Sequence, residues 1–192
     1  NRVRDTYGPA SIYGGSYGNA TTSENASITI NGGVFNGILF YAGSQVTNVK
    51  NATITINGGV FNNAAITDSA AAAALGKTEL ETCFDGTRDR VTGESVLELN
   101  VASFGAKVQN FHIVRILADV TLSSELVNID RFDIATGKQL TLNTDAQLTG
   151  LTGGSLNITA GNTLTLDAAN ADLTLGSDVT GDGKFAVNAR DF

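Results

Sequence analysis

Asn25-Ala26-Ser27-Ile28-Thr29-Ile30-Asn31-Gly32-Gly33-Val34-Phe35-Asn36 is written a second time, 26 residues later, as Asn51-Ala52-Thr53-Ile54-Thr55-Ile56-Asn57-Gly58-Gly59-Val60-Phe61-Asn62, and only Ser27 against Thr53 differs. A fixed period of this length marks a repeat architecture, in which each unit buries its apolar face only against its neighbours. Within each copy Ile-Thr-Ile alternates at period two, so the isoleucines share one face and the threonine takes the other. Asn-Gly-Gly then turns the chain, because glycine takes positive φ freely and asparagine tolerates it. Val-Phe begins another short strand. One strand–corner–strand set per period predicts an all-β, single-stranded, right-handed parallel β-helix with short sheets.

Working outward, Ile12-Tyr13-Gly14-Gly15 and Phe40-Tyr41-Ala42-Gly43 read as equivalent strands offset by 28 residues, the two extra residues lying in the Gly/Ser/Asn-rich stretch 17–24. After Asn63 the repeat is interrupted. Asp68-Ser69 is a helix cap, Ala70 to Leu75 are helix formers, and Gly76 is placed to stop them. The charged run to Arg90 follows, so 68–90 is expected to be an excursion. Val96-Leu97-Glu98-Leu99-Asn100 then realigns with Thr53 to Asn57 at an offset of 43, one period plus 17 inserted residues. Ala70 to Leu75 are expected to cover apolar surface and Thr82 to Arg90 to stay free for contact.

Beyond the insertion the motif decays while the alternation persists. Val108 to Leu122 reads as nearly continuous strand. Leu140-Thr141-Leu142, Leu156-Asn157-Ile158, Leu164-Thr165-Leu166, Leu173-Thr174-Leu175 and Lys184 to Asn188 follow, separated by turn clusters. The whole chain, 1–192, is expected to be one domain. With Asn1-Arg2-Val3-Arg4 at one end and no clear cap at the other, it reads as a segment of a longer protein.

Composition narrows the function. The net charge is −7, which disfavours a phosphate backbone, so no nucleic-acid partner is expected. No run of about 18 apolar residues occurs, so no membrane span is expected. The chain's one cysteine, Cys83, excludes an internal disulfide, and with one histidine there is no Cys/His metal cluster.

With SITINGGVFNG and TITINGGVFNN on the page, the chain resembles bacterial right-handed parallel β-helix surface proteins, the adhesin-like and polysaccharide-binding repeat family. The likeness covers about residues 12–62 and extends weakly to 105. It implies an extracellular or cell-surface location, with a polysaccharide or another cell-surface ligand as partner. The expected function is an exported, non-enzymatic adhesive or structural module that binds carbohydrate. The alternative is a β-helical polysaccharide lyase or glycoside hydrolase.

Candidate residues follow from the pattern. Asn31, Asn57 and Asn100 recur at one place and predict a ladder of stacked amides. Phe35, Phe61 and Phe104 predict an internal aromatic stack. Ser27, Thr53, Thr29 and Thr55 point away from the isoleucines as an outward hydroxyl row. Tyr13, Tyr17 and Tyr41 are candidates for a sugar platform, with core filling as the competing role for Tyr13 and Tyr41. Cys83, Asp85, Arg88, Asp89 and Arg90 form the densest polar cluster, and of these Asp85, Arg88 and Arg90 are the other candidate ligand contacts. No catalytic residues are assigned. Asp130 and Asp133 cannot share a face of a regular strand, which argues against a paired-carboxylate site there. His112, in an apolar strand, reads as a satisfied structural residue. Asp178, Thr180 and Asp182 resemble the front half of a calcium loop, but Ala186 and Ala189 stand where further ligands belong. Calcium at that loop is the one cofactor weighed.

Overall fold

The structure is a computed structural model that describes residues 10–15, 23–44, 48–167 and 178–188. Within them the protein is all-β, and its sheets are parallel apart from one two-stranded pair. A five-stranded sheet runs in the order Ala10–Tyr13, Ile38–Tyr41, Cys83–Asp85, Lys107–Gln109, Leu126–Val127. A nine-stranded sheet places Ser23–Asn36 beside Val49–Asn62, then Ser95–Leu99, Ile113–Ile116, Arg131–Leu142, Gly150–Ile158 and Val179–Thr180, with Ser103–Phe104 and Val120–Leu122 joined along its side. A third sheet holds Ala146–Leu148, Thr163–Asp167 and Lys184–Asn188.

The repeat explains the pairing. Copies of one sequence laid side by side in register put like on like, and Ile28 is the partner of Ile54 as Ile30 is of Ile56. The offset of 43 is realised in Thr53 opposite Val96 and Ile56 opposite Leu99. Apolar side chains therefore form rows perpendicular to the strands. One runs Ile28, Ile54, Leu97, Val114, Phe132, Leu151. All but Ile28 in that row are fully buried. At about 1.5–3 kcal/mol for each buried Ile, Leu or Phe, these rows hold the sheets together.

A second set of rows is aromatic. Phe35 stacks on Phe61 with centroids 5.3 Å apart, and Phe61 meets Phe104 at 5.6 Å. Phe40 stacks on Phe84 at 4.5 Å and packs edge-on against Phe35 and Phe61. The expected asparagine ladder is present on the outside. Asn57 Nδ2 donates to Asn31 Oδ1 at 2.9 Å, and Asn100 Nδ2 donates to Asn57 Oδ1 at 3.1 Å. Asn51 likewise donates to Asn25, and Asn62 to Asn36.

Three expectations are corrected. The excursion is shorter than 68–90. The helix is present over Ser69–Leu75, with Asp68 accepting from the N–H groups of Ala70 and Ala71 and Gly76 closing it at φ 61°. An antiparallel pair, Ala64 with Leu80 and Ala65 with Glu79, draws its two ends together. By Cys83 the chain has rejoined the five-stranded sheet, with Thr82, Cys83 and Phe84 buried. Phe84 fills the row between Phe40 and Val108, which the charged sequence around it concealed. Nor does the helix cover the sheets, since Ala71 is its one buried residue and Leu75 is exposed.

The stretch 108–122 is not one strand either. It divides among Lys107–Gln109, Ile113–Ile116 and Val120–Leu122, and the first lies in a different sheet from the other two. Asn110 turns the chain between them at φ 59°. Asparagine reaches that region at small cost because its side chain bonds locally. Leu173-Thr174-Leu175 lies outside the described residues.

Candidate functional site

The strands of the five-stranded sheet carry one outward row. Tyr13 is the partner of Tyr41, Tyr41 of Asp85, Asp85 of Gln109 and Gln109 of Val127. The inward row beside it is Ile12, Phe40, Phe84, Val108, Leu126. Alternation thus gives Phe40 to the core and turns both tyrosines outward, where each is half-buried. Their rings stack with centroids 4.8 Å apart and planes 8° from parallel. The inter-strand spacing of about 4.8 Å sets this ring separation.

Past Asp85 the chain makes a tight turn. Gly86 is required there, because a Cβ would lie 2.2 Å from the carbonyl oxygen of Asn110. Thr87 is a non-glycine residue at φ 49°, a conformation that costs energy and is held by its neighbours. Its N–H donates to Asp85 Oδ1 at 2.7 Å, and its Oγ1 accepts from the Gly43 N–H at 2.8 Å. A 3₁₀ turn over Arg88–Arg90 follows, tied by the Arg90 N–H to the Thr87 carbonyl.

This turn closes a cleft of ≈ 300 Å³ lined by Tyr13, Tyr41, Ser44, Asp85, Thr87, Asp89, Arg90 and Asn110. Of the residues singled out from sequence, it brings together Tyr13, Tyr41, Asp85, Asp89 and Arg90. Arg88 belongs to the same turn, but its side chain lies outside the described residues, as does all of Tyr17.

Asp85 is held rigidly. Gln109 Nε2 donates to Oδ2 at 2.7 Å, and Asn110 Nδ2 lies 3.2 and 3.3 Å from the two oxygens. Asn110 Oδ1 in turn accepts from Asn128 at 2.9 Å. Burial pushes the Tyr41 phenol above its ordinary range, with the Tyr13, Asp85 and Cys83 charges adding to it. The Tyr41 hydroxyl therefore keeps its proton and serves as donor as well as acceptor. The Cys83 thiol, in the neighbouring strand Cys83–Asp85, is pushed up to about 12, by burial first and then by Asp85 and Glu81. It is not a nucleophile at neutral pH.

Ser44, Thr87 and Asn110 were not singled out from sequence. A weak signal exists: Phe84-Asp85-Gly86, Val108-Gln109-Asn110 and Leu126-Val127-Asn128 share an apolar–x–Gly/Asn pattern at strand ends. The register aligns these three positions.

A second cleft, of ≈ 350 Å³, contains Glu81, Lys107 and Glu125 with Asn62 and Asn63. Lys107 Nζ lies 3.6 Å from Glu81 and 3.3 Å from Glu125. Two carboxylates near one cleft invite a glycosidase reading, and a lysine invites a lyase base. Burial lowers Lys107, but its hydrogen bond to Glu125 and the charges of both glutamates outweigh that and raise it. A base for proton abstraction needs the opposite shift.

Elsewhere the polar ladders are self-satisfied. Arg115 bridges Glu98 and Asp133 at 3.0 Å each, and Thr55 donates to Glu98. Arg131 pairs with Glu94, while Phe132 points inward. The Ser95 N–H donates to His112 Nδ1 at 3.1 Å and Ser95 Oγ lies 2.9 Å from it, with Ser95 fully buried.

At the candidate calcium residues Asp178, Thr180 and Asp182, the first two are engaged with the neighbouring strand. Val179–Thr180 pairs with the neighbouring strand, the Asp178 carbonyl accepts from the Leu156 N–H, and Thr180 Oγ1 donates to the Leu156 carbonyl. Among the described residues no group of three or more His, Cys, Asp or Glu side chains is placed to hold a metal ion, and no helix is long and apolar enough to cross a membrane. No family model, curated protein or solved structure matches this chain.

Proposed function

We propose that the chain is a right-handed parallel β-helix of the bacterial surface-protein kind, an exported adhesive or structural module that binds carbohydrate in the Tyr13–Tyr41 cleft. The observation that carries this is the convergence of Tyr13, Tyr41, Asp85 and Arg90 on one cleft from segments up to 77 residues apart. Phenol hydroxyls and ring edges beside acceptor and donor groups suit a sugar, whose hydroxyls both give and accept hydrogen bonds. A β-helical reading is supported by in-register parallel stacking of successive repeats. An exported location suits a thiol that is buried and fully protonated, because such a thiol resists oxidation. The competing lyase or glycosidase reading would use Glu81, Lys107 and Glu125, whose mutual ion pairing holds the lysine charged.

The test is retention of the purified protein on a panel of neutral and acidic polysaccharides, with and without Ca²⁺. Binding without turnover, weakened at least tenfold by Tyr41→Ala, is the expected result. Turnover that disappears in Glu81→Gln would transfer the function to the second cleft. Failure to bind any member, together with no turnover, would leave a purely structural module.

A further inference from the structure

The chain contains three Asn-Gly pairs, Asn31-Gly32, Asn36-Gly37 and Asn57-Gly58. In such pairs the glycine nitrogen can attack the asparagine Cγ, since no side chain blocks its approach. The new C–N bond forms, the side-chain amide leaves as ammonia together with the glycine N–H proton, and a five-membered imide remains. Water then opens the imide to aspartate or isoaspartate. Nothing is oxidised or reduced, and water is the only co-reactant. The step requires the asparagine side chain to rotate onto the next nitrogen, so whatever ties either group slows it.

The three pairs are tied very differently. At Asn36 the nucleophile is committed, because the buried Gly37 N–H donates to the Asn62 carbonyl at 2.9 Å. At Asn57 the side chain is clamped at both ends, donating to Asn31 and accepting from Asn100. Gly58 is crowded too, with the Asn31 carbonyl oxygen 2.8 Å from its Cβ position. At Asn31 the side chain has one tie, accepted at Oδ1 from Asn57, and among the described residues no acceptor meets its Nδ2. Gly32 is exposed, with nothing within 4 Å of where a Cβ would stand.

We propose that Asn31 is a self-modification site, converting to aspartate or isoaspartate in the folded protein while Asn57 and Asn36 are held back by the ladder and the sheet. The product fits its place. A carboxylate at 31 still accepts from Asn57 Nδ2, whereas one at 57 would set oxygen against Asn31 Oδ1. The modification adds one negative charge on the last described strand of the nine-stranded sheet, and as isoaspartate it adds a methylene to that strand's backbone.

The duplicated sequence supplies its own control, because Ile-Asn-Gly-Gly-Val-Phe-Asn surrounds both Asn31 and Asn57. Lys50 lies between them, so trypsin separates the two copies. The experiment incubates the protein in mildly alkaline buffer and follows the gain of one mass unit in each peptide over time, with fragment ions separating Asn31 from Asn36, which share the peptide that ends at Lys50. In the folded protein Asn31 is expected to convert about tenfold faster than Asn57, the effect of roughly one hydrogen bond on a barrier. In denaturant the two rates should coincide. Asn100→Ala, which releases Asn57 Oδ1, should raise the Asn57 rate several-fold toward that of Asn31. Equal rates in the folded protein, faster conversion at Asn57 or Asn36, or an Asn57 rate unmoved by Asn100→Ala would each overturn the proposal.

Discussion

Tyr13 lies face to face on Tyr41, 4.8 Å away, because the two are register partners in adjacent parallel strands. This arrangement changes what the pair can offer a ligand. Rings stacked along a sheet hide their shared faces, so the cleft presents ring edges and hydroxyls rather than a two-ring floor. The proposed sugar would therefore be gripped at its hydroxyls, with Asp89 and Arg90 also lining the cleft.

Alkaline pH should loosen this region. The Tyr41 phenol and the Cys83 thiol both ionise at higher pH when folded than when unfolded. Each therefore contributes stability that is complete below its unfolded value and is lost as pH rises through the folded one. For Cys83 the window runs from the ordinary thiol value of 9.0 to about 12. The thermal midpoint, followed by circular dichroism, should fall across that window. In Cys83→Val the fall should be smaller, and the thiol of the parent protein should react slowly with a disulfide reagent until that pH range is reached.

The turn that shapes the cleft can be displaced without touching a ligand contact. A Cβ on Gly43 would lie 2.4 Å from Thr87 Oγ1, the atom that accepts the Gly43 N–H. Gly43→Ala must push Thr87, and with it Asp89 and Arg90, away from the tyrosines. We expect a stability loss of about 1–3 kcal/mol and a larger proportional loss of carbohydrate retention. Unchanged retention would separate the 87–90 turn from binding.

How much of this could be read from residues alone depends on what the repeat repeats. Ile28 over Ile54, Asn31 beside Asn57 and the offset of 43 to Leu97 were all legible, because identical side chains stacked in register are self-consistent. Tyr13 and Tyr41 were legible as a pair for the same reason. Phe84 was not. It follows a stretch, 77–83, in which five of seven residues are charged or polar, and its strand is only three residues long, Cys83–Asp85. The division of 108–122 was hidden because a single asparagine, Asn110, makes the corner between two sheets. The expected Asn-Gly-Gly corner, by contrast, is only a bulge, and Ser23–Asn36 and Val49–Asn62 each run through it as one strand. Thr87 and Ser44 enter the cleft through turn geometry and long-range backbone bonds, which leave no periodic trace.

The outer ion ladder should matter little. Arg115, about one third exposed, sits between Glu98 and Asp133. Exposed pairs contribute at most about 1 kcal/mol, and salt screens them. Arg115→Gln should cost no more than this in low salt and less in high salt, by urea denaturation. A loss of several kcal/mol would show that the ladder organises the sheet.

The last prediction separates the two halves of the interruption. The antiparallel pair Ala65–Glu79 continues through the Ile66 N–H to the Thr78 carbonyl at 2.9 Å, so residues 66 and 78 already face each other. Between them the helix buries only Ala71. Replacing Thr67 to Lys77 by Asn-Gly leaves a two-residue hairpin loop of the kind such strands favour, and it shortens the loop that must close. The thermal midpoint should stay within a few degrees of the parent. A Gly-Ser linker in place of Thr82 to Arg90 should have the opposite outcome. It removes Phe84, whose loss alone costs about 3–5 kcal/mol, and it removes the Thr82 hydroxyl that bonds the Asn62 carbonyl. That variant should be unfolded or aggregated, and Phe84→Ala should reproduce most of the loss. If the hairpin variant unfolds while the linker variant stays cooperative, the helix rather than the returning strand carries the stability.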